Sequence, residues 1–177
     1  YPRNIPTVPH TQNVKLSSYT YAFKASVLQH VPWYMPTHTP AEIADAVQNL
    51  AASPTELVET DYSKSDGTFL RLMRECVEFA IYKRWVHLDH LPELTTLLSN
   101  EIQAPAVTRL GIKYDPDCSR LSGSALTTDG NSIANAFVSY LAGRMAGMDD
   151  DEAWSWIGIV YGDDGLRSGN VSNELLT

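Results

Sequence analysis

Two periods of apolar and polar positions run along this chain, and the changes from one to the other mark its elements. From Phe69 to Trp85 the apolar residues are Phe69, Leu72, Met73, Cys76, Val77, Ala80 and Ile81, a helical spacing held over several turns. From Thr128 to Met145 the same spacing puts Ile133, Ala134, Phe137, Val138 and Leu141 on one face. Further helices are expected over 18–31, about 40–51 and about 91–99. Thr39-Pro40-Ala41-Glu42 supplies the N-cap, first-turn proline and third-position glutamate of a capping box. After a stop at Gly147-Met148, Asp149-Asp150-Asp151-Glu152 caps a short helix, because acids suit the positive end of the helix dipole. Strands are expected at residues 57–61, in a hairpin within 104–114 broken at Arg109-Leu110-Gly111, and around Ile157-Gly158-Ile159-Val160. Residues 1–17, rich in Pro and Thr, are expected to be extended, and residues after about 168 to form a loop. Short strands among helices, with a hairpin late in the chain, predict an α+β fold with helices on one face of a small antiparallel sheet.

Composition narrows the class. A chain of 177 residues can bury a real core, and 44% apolar with 19% charged residues fits a globular protein. No apolar run is long enough to span a bilayer, and no signal-peptide pattern opens the chain. A first residue of Tyr1 rather than Met predicts an excerpt of a longer polypeptide. Cys76 and Cys118 form no close-spaced metal motif, and Cys76 is expected in the core. The net charge of −8 is unusual for a protein that grips nucleic acid by phosphate contacts alone. Either no polyanion binds here, or the chain holds an acidic centre whose basic surroundings lie elsewhere.

The acids worth most are Asp163 and Asp164, side by side in a glycine-flanked turn. Like charges that close repel, and a divalent cation is the simplest remedy. Mg²⁺ suits them because it takes oxygen ligands and keeps sites for phosphate oxygens. Asp61 ends a strand, and the chain then turns through Ser65-Asp66-Gly67 toward a helix. Taken alone, Asp66 is a helix N-cap. Ser122 to Asn131 is a small-residue loop running into a helix, with Gly123 free in backbone geometry and Asn131 able to donate and accept. Alone, that loop is an ordinary Ser/Thr-rich helix entry. Together, a strand-end acid, a hydroxyl and amide loop and a hairpin acid pair are what two-metal phosphoryl transfer requires, with cations about 4 Å apart. Other groups carry less. His87-Leu88-Asp89-His90 lacks a distant third ligand, Trp33 and Tyr34 could stack on bases, and Trp154 and Trp156 suit a core. Arg71, Arg74, Lys83 and Arg84 are expected as a solvent-facing stripe.

The three segments also resemble a family. Asp61-x4-Asp66, Ser122-Gly123-x3-Thr127-x3-Asn131 and Gly162-Asp163-Asp164 are similar to motifs A, B and C of the palm of viral RNA-dependent RNA polymerases. Asp66-Gly67-Thr68, Thr127-Thr128, Asn135-Ala136-Phe137 and Tyr161-Gly162-Asp163-Asp164-Gly165 look closest to the nodavirus replicases. Pro2-Arg3-Asn4-Ile5 resembles the end of the fingers motif F. The resemblance spans residues 2–167 and implies one polymerase core fragment, with 1–55 fingers-derived, 56–177 the palm, and the thumb absent. It implies Asp61 and Asp163 as principal ligands of two Mg²⁺ ions, with Mn²⁺ as a substitute and Asp164 assisting. It implies Asp66 and Asn131 as readers of the ribose 2′-hydroxyl, supported by Ser122 or Thr127, with Arg3 on the NTP triphosphate and Gly123 letting the loop move. Partners would be an RNA template and nascent strand, NTPs and the rest of the replicase. The place implied is the host cytoplasm, in a replication complex tied to membrane through parts outside this chain.

Some features depart from the pattern. Ser65 stands where an aromatic residue is frequent, and motifs D and E would follow Thr177. Two rivals differ in class or substrate. A reverse transcriptase would share the Asp-Asp turn but usually blocks the 2′-hydroxyl with bulk where Asp66 stands. A non-catalytic, cation-binding scaffold would explain the net charge of −8.

Overall fold

The computed structural model describes residues 6, 8–52, 56–62, 65–102 and 104–169, the side chains of Asp61 and Ser65 aside. In chain order its elements are α1 (His10–Ser26), α2 (Pro40–Ala51), β1 (Leu57–Asp61), α3 (Arg71–Met73), a π-helical turn (Arg74–Glu78), α4 (Phe79–Trp85), α5 (Leu91–Ser99), β2 (Ala106–Val107), β3 (Lys113–Tyr114), α6 (Thr127–Met145), α7 (Asp150–Trp156), β4 (Ile159–Tyr161) and β5 (Asp164–Ser168). They form two compact units, residues 1–25 with 63–127 and residues 26–62 with 128–177.

In the first unit α1 begins at His10, where an extended segment was expected, and ends at Ser26, short of the expected 31. Leu16, Thr20 and Phe23 are its buried face, at the i, i+4, i+7 spacing of a helix. Its first-turn polar residues hid this onset because their partners are remote: Gln12 Nε2 donates to the Leu97 carbonyl and Asn13 Nδ2 to that of Gly123. Phe23 packs on Tyr82 and Trp85, with ring centres 4.4 and 5.3 Å away. Burying Leu94, Leu97 and Leu98 of α5 adds roughly 1.5–3 kcal/mol each relative to exposure.

The helical run after Phe69 turns a different face inward from the one its apolar spacing predicts. The π turn inserts extra backbone, and the buried residues become Arg74, Glu78, Phe79 and Tyr82. Leu72 is 71% exposed, and Cys76 is on the surface, not in the core. Arg74 leaves the expected solvent stripe altogether and is fully buried. The ion cluster it joins decides this. Arg74 Nη2 lies 3.4 Å from Glu78 Oε1, Arg120 binds Glu78 through both guanidinium arms, and Arg74 Nη1 donates to the carbonyls of Cys118 and Ser119.

Glu101 sits close to this cluster, and both of its buried carboxylate oxygens lack a hydrogen-bond partner among the described residues. Burial pushes its carboxyl pKa up, against the pull of Arg74 and Arg120. The folded state therefore keeps a proton that the unfolded chain releases. The associated stability is full below the ordinary value of 4.5 and is lost as pH rises through the folded pKa. Glu101→Gln is expected to flatten the fall of Tm with pH above that value and to raise Tm by a few degrees at neutral pH. Calorimetry across pH tests this, and parallel wild-type and variant curves would refute it.

The second unit is built on an antiparallel sheet of order β1-β5-β4. Residues 33–35 run along the free edge of β4, where the Val160 amide donates to the Trp33 carbonyl and the Met35 amide to the Val160 carbonyl. This pairing buries Trp33 and Tyr34, so they are core residues rather than surfaces for stacking bases. Trp154 is 46% exposed and meets Trp33 edge-on at 6.2 Å, whereas Trp156 is buried and donates to the Ser168 carbonyl. Both expected capping boxes are present, Thr39 with Glu42 before α2 and Asp149 with Glu152 before α7. On α6 the expected apolar face is buried at Ile133 and Ala134 and half-buried at Phe137 and Val138, and the buried surface widens to include polar residues. Leu141 is 44% exposed, and Ser132, Asn135 and Ser139 are buried. Among the described residues no helix is long and apolar enough to cross a membrane.

Candidate active site

The register of the second unit's sheet brings the principal acids to one end. Asp164 opens β5 and lies between Asp61 of β1 and Tyr161 of β4, its directly opposed partners. Gly162 and Asp163 form the two-residue turn from β4 to β5. Gly162 alone takes a positive φ, +65°, which fits a hairpin turn with glycine at its first central position. Asp163 is half-buried and Asp164 exposed. Acids at directly opposed ladder positions repel, which selects for a cation beside them. Asp163 and Asp164 carry carboxylate oxygens, the ligand type that magnesium and manganese take, so these two residues fit the expected ions. Among the described residues no three His, Cys, Asp or Glu side chains gather at metal spacing, and the Asp61 side chain is not one of these residues.

Beneath the turn runs a polar seam on α6. Ser132 Oγ donates to the Thr128 carbonyl at 2.8 Å, which uses its one proton, and accepts from the Gly162 amide at 2.9 Å. Asn135 Nδ2 donates to the carbonyls of Asp163 at 3.0 Å and Gly162 at 3.5 Å. Ser139 Oγ donates to the Asn135 carbonyl and accepts from Arg167 Nη1 at 2.5 Å. Arg167 Nη2 continues the seam to Thr60 Oγ1 at 2.8 Å, and the guanidinium covers the Trp156 ring at 5.3 Å. Burial lowers the Arg167 pKa, opposed by Tyr62. Gly165 makes the seam fit. A Cβ there would stand 2.7 Å from Thr60 Oγ1, 3.0 Å from Arg167 Nη2 and 3.3 Å from Asn135 Nδ2. At the start of α6 the Tyr34 hydroxyl donates to Asp129 Oδ1 at 2.5 Å, and burial followed by Asp129 raises the tyrosine pKa far enough to keep it a donor.

In the first unit Asp66 does not cap a helix. α3 starts at Arg71 behind Leu70, which makes no side-chain cap bond. Asp66 Oδ2 instead accepts from Ser122 Oγ at 2.5 Å, and the Asp66 carbonyl accepts from the Arg120 amide at 2.7 Å. The Ser122 loop is held from both sides. Asn13 donates to the Gly123 carbonyl and accepts from the Ala125 amide at 2.8 Å. Thr127 Oγ1 is directed at the loop carbonyls of Leu121 and Ser124, both at 2.9 Å. Arg120, anchored by Glu78, lies 4.3 Å over the Phe69 ring.

Two clusters of the expected site thus form, one in each unit. Asp61, Asp163 and Asp164 share a sheet end, and Asp66 and Ser122 are bonded beside Gly123 and Thr127. Asn131 is buried on α6, one residue before Ser132. Arg3 lies outside the described residues. Sequence reasoning missed Ser132, Ser139 and Arg167, and it noted Asn135 only within the family resemblance, without a role. The signal was present as small polar residues at i, i+3 and i+7 on α6, a stripe overlooked in favour of the apolar one. The His87–His90 stretch stays exposed, with a local His87–Asp89 contact at 3.4 Å.

The chain is 97% identical over 177 residues to the RNA-directed RNA polymerase of Greasy grouper nervous necrosis virus, a match covering all of this chain and 18% of that protein. It is 33% identical over 168 residues to the RNA-directed RNA polymerase of Pariacoto virus, covering 93% of this chain and 17% of that protein. For Nodamura virus the identity is 32% over 159 residues, covering 86% and 15%. The chain therefore spans about a sixth of the length of these curated relatives. Its fold matches a crystal structure of the RNA-dependent RNA polymerase of a human picorbirnavirus with a TM-score of 0.75 at 17% identity, covering 98% of this chain and 33% of that one. No family model matches.

Proposed function

Because the chain belongs, as a segment, with the RNA-directed RNA polymerases of the nodaviruses, we propose that it is the palm-centred catalytic core of template-directed RNA synthesis. The observation that carries this reading is the register setting Asp61 opposite Asp164 beside the Asp163 turn. In the reaction, the 3′-hydroxyl oxygen of a growing RNA bonds to the α-phosphorus of an NTP. The bond to the β-phosphate oxygen breaks, pyrophosphate leaves, and the hydroxyl proton is given up. Asp61, Asp163 and Asp164 would hold magnesium, with manganese substituting; when bound, these ions neutralise phosphate charge and align the attacking oxygen.

The chain's own residues supply sugar selection. Asp66, fixed by Ser122, is an acceptor for a 2′-hydroxyl, and Asn131 offers a second polar group. Thr127 supports them indirectly by holding the loop, Gly123 gives that loop room to move, and Arg3 would meet the triphosphate. A chain of net charge −8 leaves the basic contacts to template and nascent strand to other parts of the polymerase. We place that polymerase in the host cytoplasm, tied to membrane through segments outside this chain.

The test is nucleotide incorporation on an RNA template by the full polymerase carrying this segment. NTP incorporation should require a divalent cation, and Asp66→Ala or Asn131→Ala should narrow the NTP-over-dNTP preference by about tenfold or more, since a site built for a hydroxyl penalises its absence. Unchanged sugar preference would remove those two residues from the reading. Preferred use of dNTPs would favour a reverse transcriptase, and Mn²⁺ binding without incorporation a scaffold.

A further inference from the structure

We propose that Ser132 and Asn135 are positioning residues that fix the Gly162-Asp163 turn by its backbone and so set where the Asp163 carboxylate stands. The proposal rests on the polymerase reading above. A two-residue hairpin loop at a sheet end has few ladder bonds to hold it, and its tip is normally among the more mobile parts of a fold. Here the tip is bonded from below at three atoms. Ser132 Oγ accepts from the Gly162 amide, and Asn135 Nδ2 donates to the carbonyls of Gly162 and Asp163.

The polarity of each bond is determined. The Ser132 proton is committed to the Thr128 carbonyl, so its oxygen can only accept from Gly162. Two carbonyls face the Asn135 amide, so its nitrogen must point at them. Both side chains are buried, Ser132 at 0% and Asn135 at 3% exposure, so water competes poorly for these bonds. Ser132 and Asn135 stand three apart on one helix face, and α6 is itself tied to the sheet by Tyr34–Asp129 and by Ser139–Arg167. The clasp touches only main-chain atoms of the turn. By holding the main chain on both sides of the Asp163 side chain, it limits the positions that carboxylate can take. Two-metal chemistry is sensitive to such placement, because a displacement of about 1 Å can cost on the order of 100-fold in rate.

The experiment uses the full polymerase carrying Ser132→Ala, Asn135→Ala or Asp163→Ala, with Mn²⁺ alone as the probe, its binding read by electron paramagnetic resonance without nucleotide. Amide exchange at Gly162, Tm, and kcat against KM for NTP are measured alongside. Ser132→Ala and Asn135→Ala are expected to speed exchange at Gly162, weaken Mn²⁺ binding about tenfold and lower kcat more than KM. Sugar preference should be retained. Faster exchange at Gly162 with wild-type Mn²⁺ binding and kcat would overturn the proposal. If Asn135→Ala fails to fold, Ser132→Ala decides alone, since it removes one oxygen and leaves the helix intact. Asp163→Ala separates the two claims. If it leaves Mn²⁺ binding unchanged, the polymerase site itself is misplaced. If it abolishes binding while the clasp variants do not alter it, only the clasp is wrong.

Discussion

In the polymerase that carries this segment, Asp163→Ala should lower nucleotide incorporation roughly 10³-fold or more, the scale lost when charge stabilisation is removed from phosphoryl transfer. Stability should change little, within about 0.5 kcal/mol, as for substitutions away from buried contacts. The two halves of this expectation have different sources. On the proposed reading, activity depends on the carboxylate of Asp163, a turn residue beside the Asp61–Asp164 pair. The fold depends on the turn's main chain, because Asn135 binds the Asp163 carbonyl and Ser132 the Gly162 amide. Primer extension with a matched urea titration checks both. Incorporation at the wild-type rate would end the assignment, and a large loss of stability would show that the side chain had a structural partner.

The largest effect on stability is expected at Glu78. Glu78→Ala leaves the guanidinium groups of Arg74 and Arg120 buried without their carboxylate, a change that costs about 3–5 kcal/mol when one partner of a buried pair is removed. Against a total of about 5–15 kcal/mol for a typical domain, that is a large fraction. The damage should spread, because the Arg120 amide holds the Asp66 carbonyl and Arg74 holds those of Cys118 and Ser119. Sugar discrimination is expected to loosen along with the fold. Removing charge from all three positions with apolar residues of similar size should cost far less than the single change. Chemical denaturation of the two variants compares them. A single change costing under about 1 kcal/mol would mean the cluster relaxes freely or admits water.

Features whose cause is local were legible in the sequence. The capping boxes at Thr39 and Asp149, the Gly162 turn and the strand ending at Asp61 depend on residues within a few positions of each other. Features decided by distant partners were not. Arg74 has the spacing of a surface cation, and only Glu78 together with carbonyls over 40 positions away makes it internal. Asp66 has the context of a helix cap, yet its partner is Ser122, 56 residues on. The polar stripe of α6 was visible as spacing, but its meaning required the hairpin that lies against it. The acids of the candidate site were therefore recognisable in sequence, while the groups that hold them still were not.

Gly165 gives this division a practical edge. In Asp163-Asp164-Gly165 the acids are the proposed metal ligands, and the glycine answers to Thr60, Arg167 and Asn135 behind it. A methyl group added there would prise β5 away from its helix and carry both neighbouring carboxylates with it. The position of the strand's acidic end is thus set by clearance on the opposite face of the strand, where no room for a side chain is left.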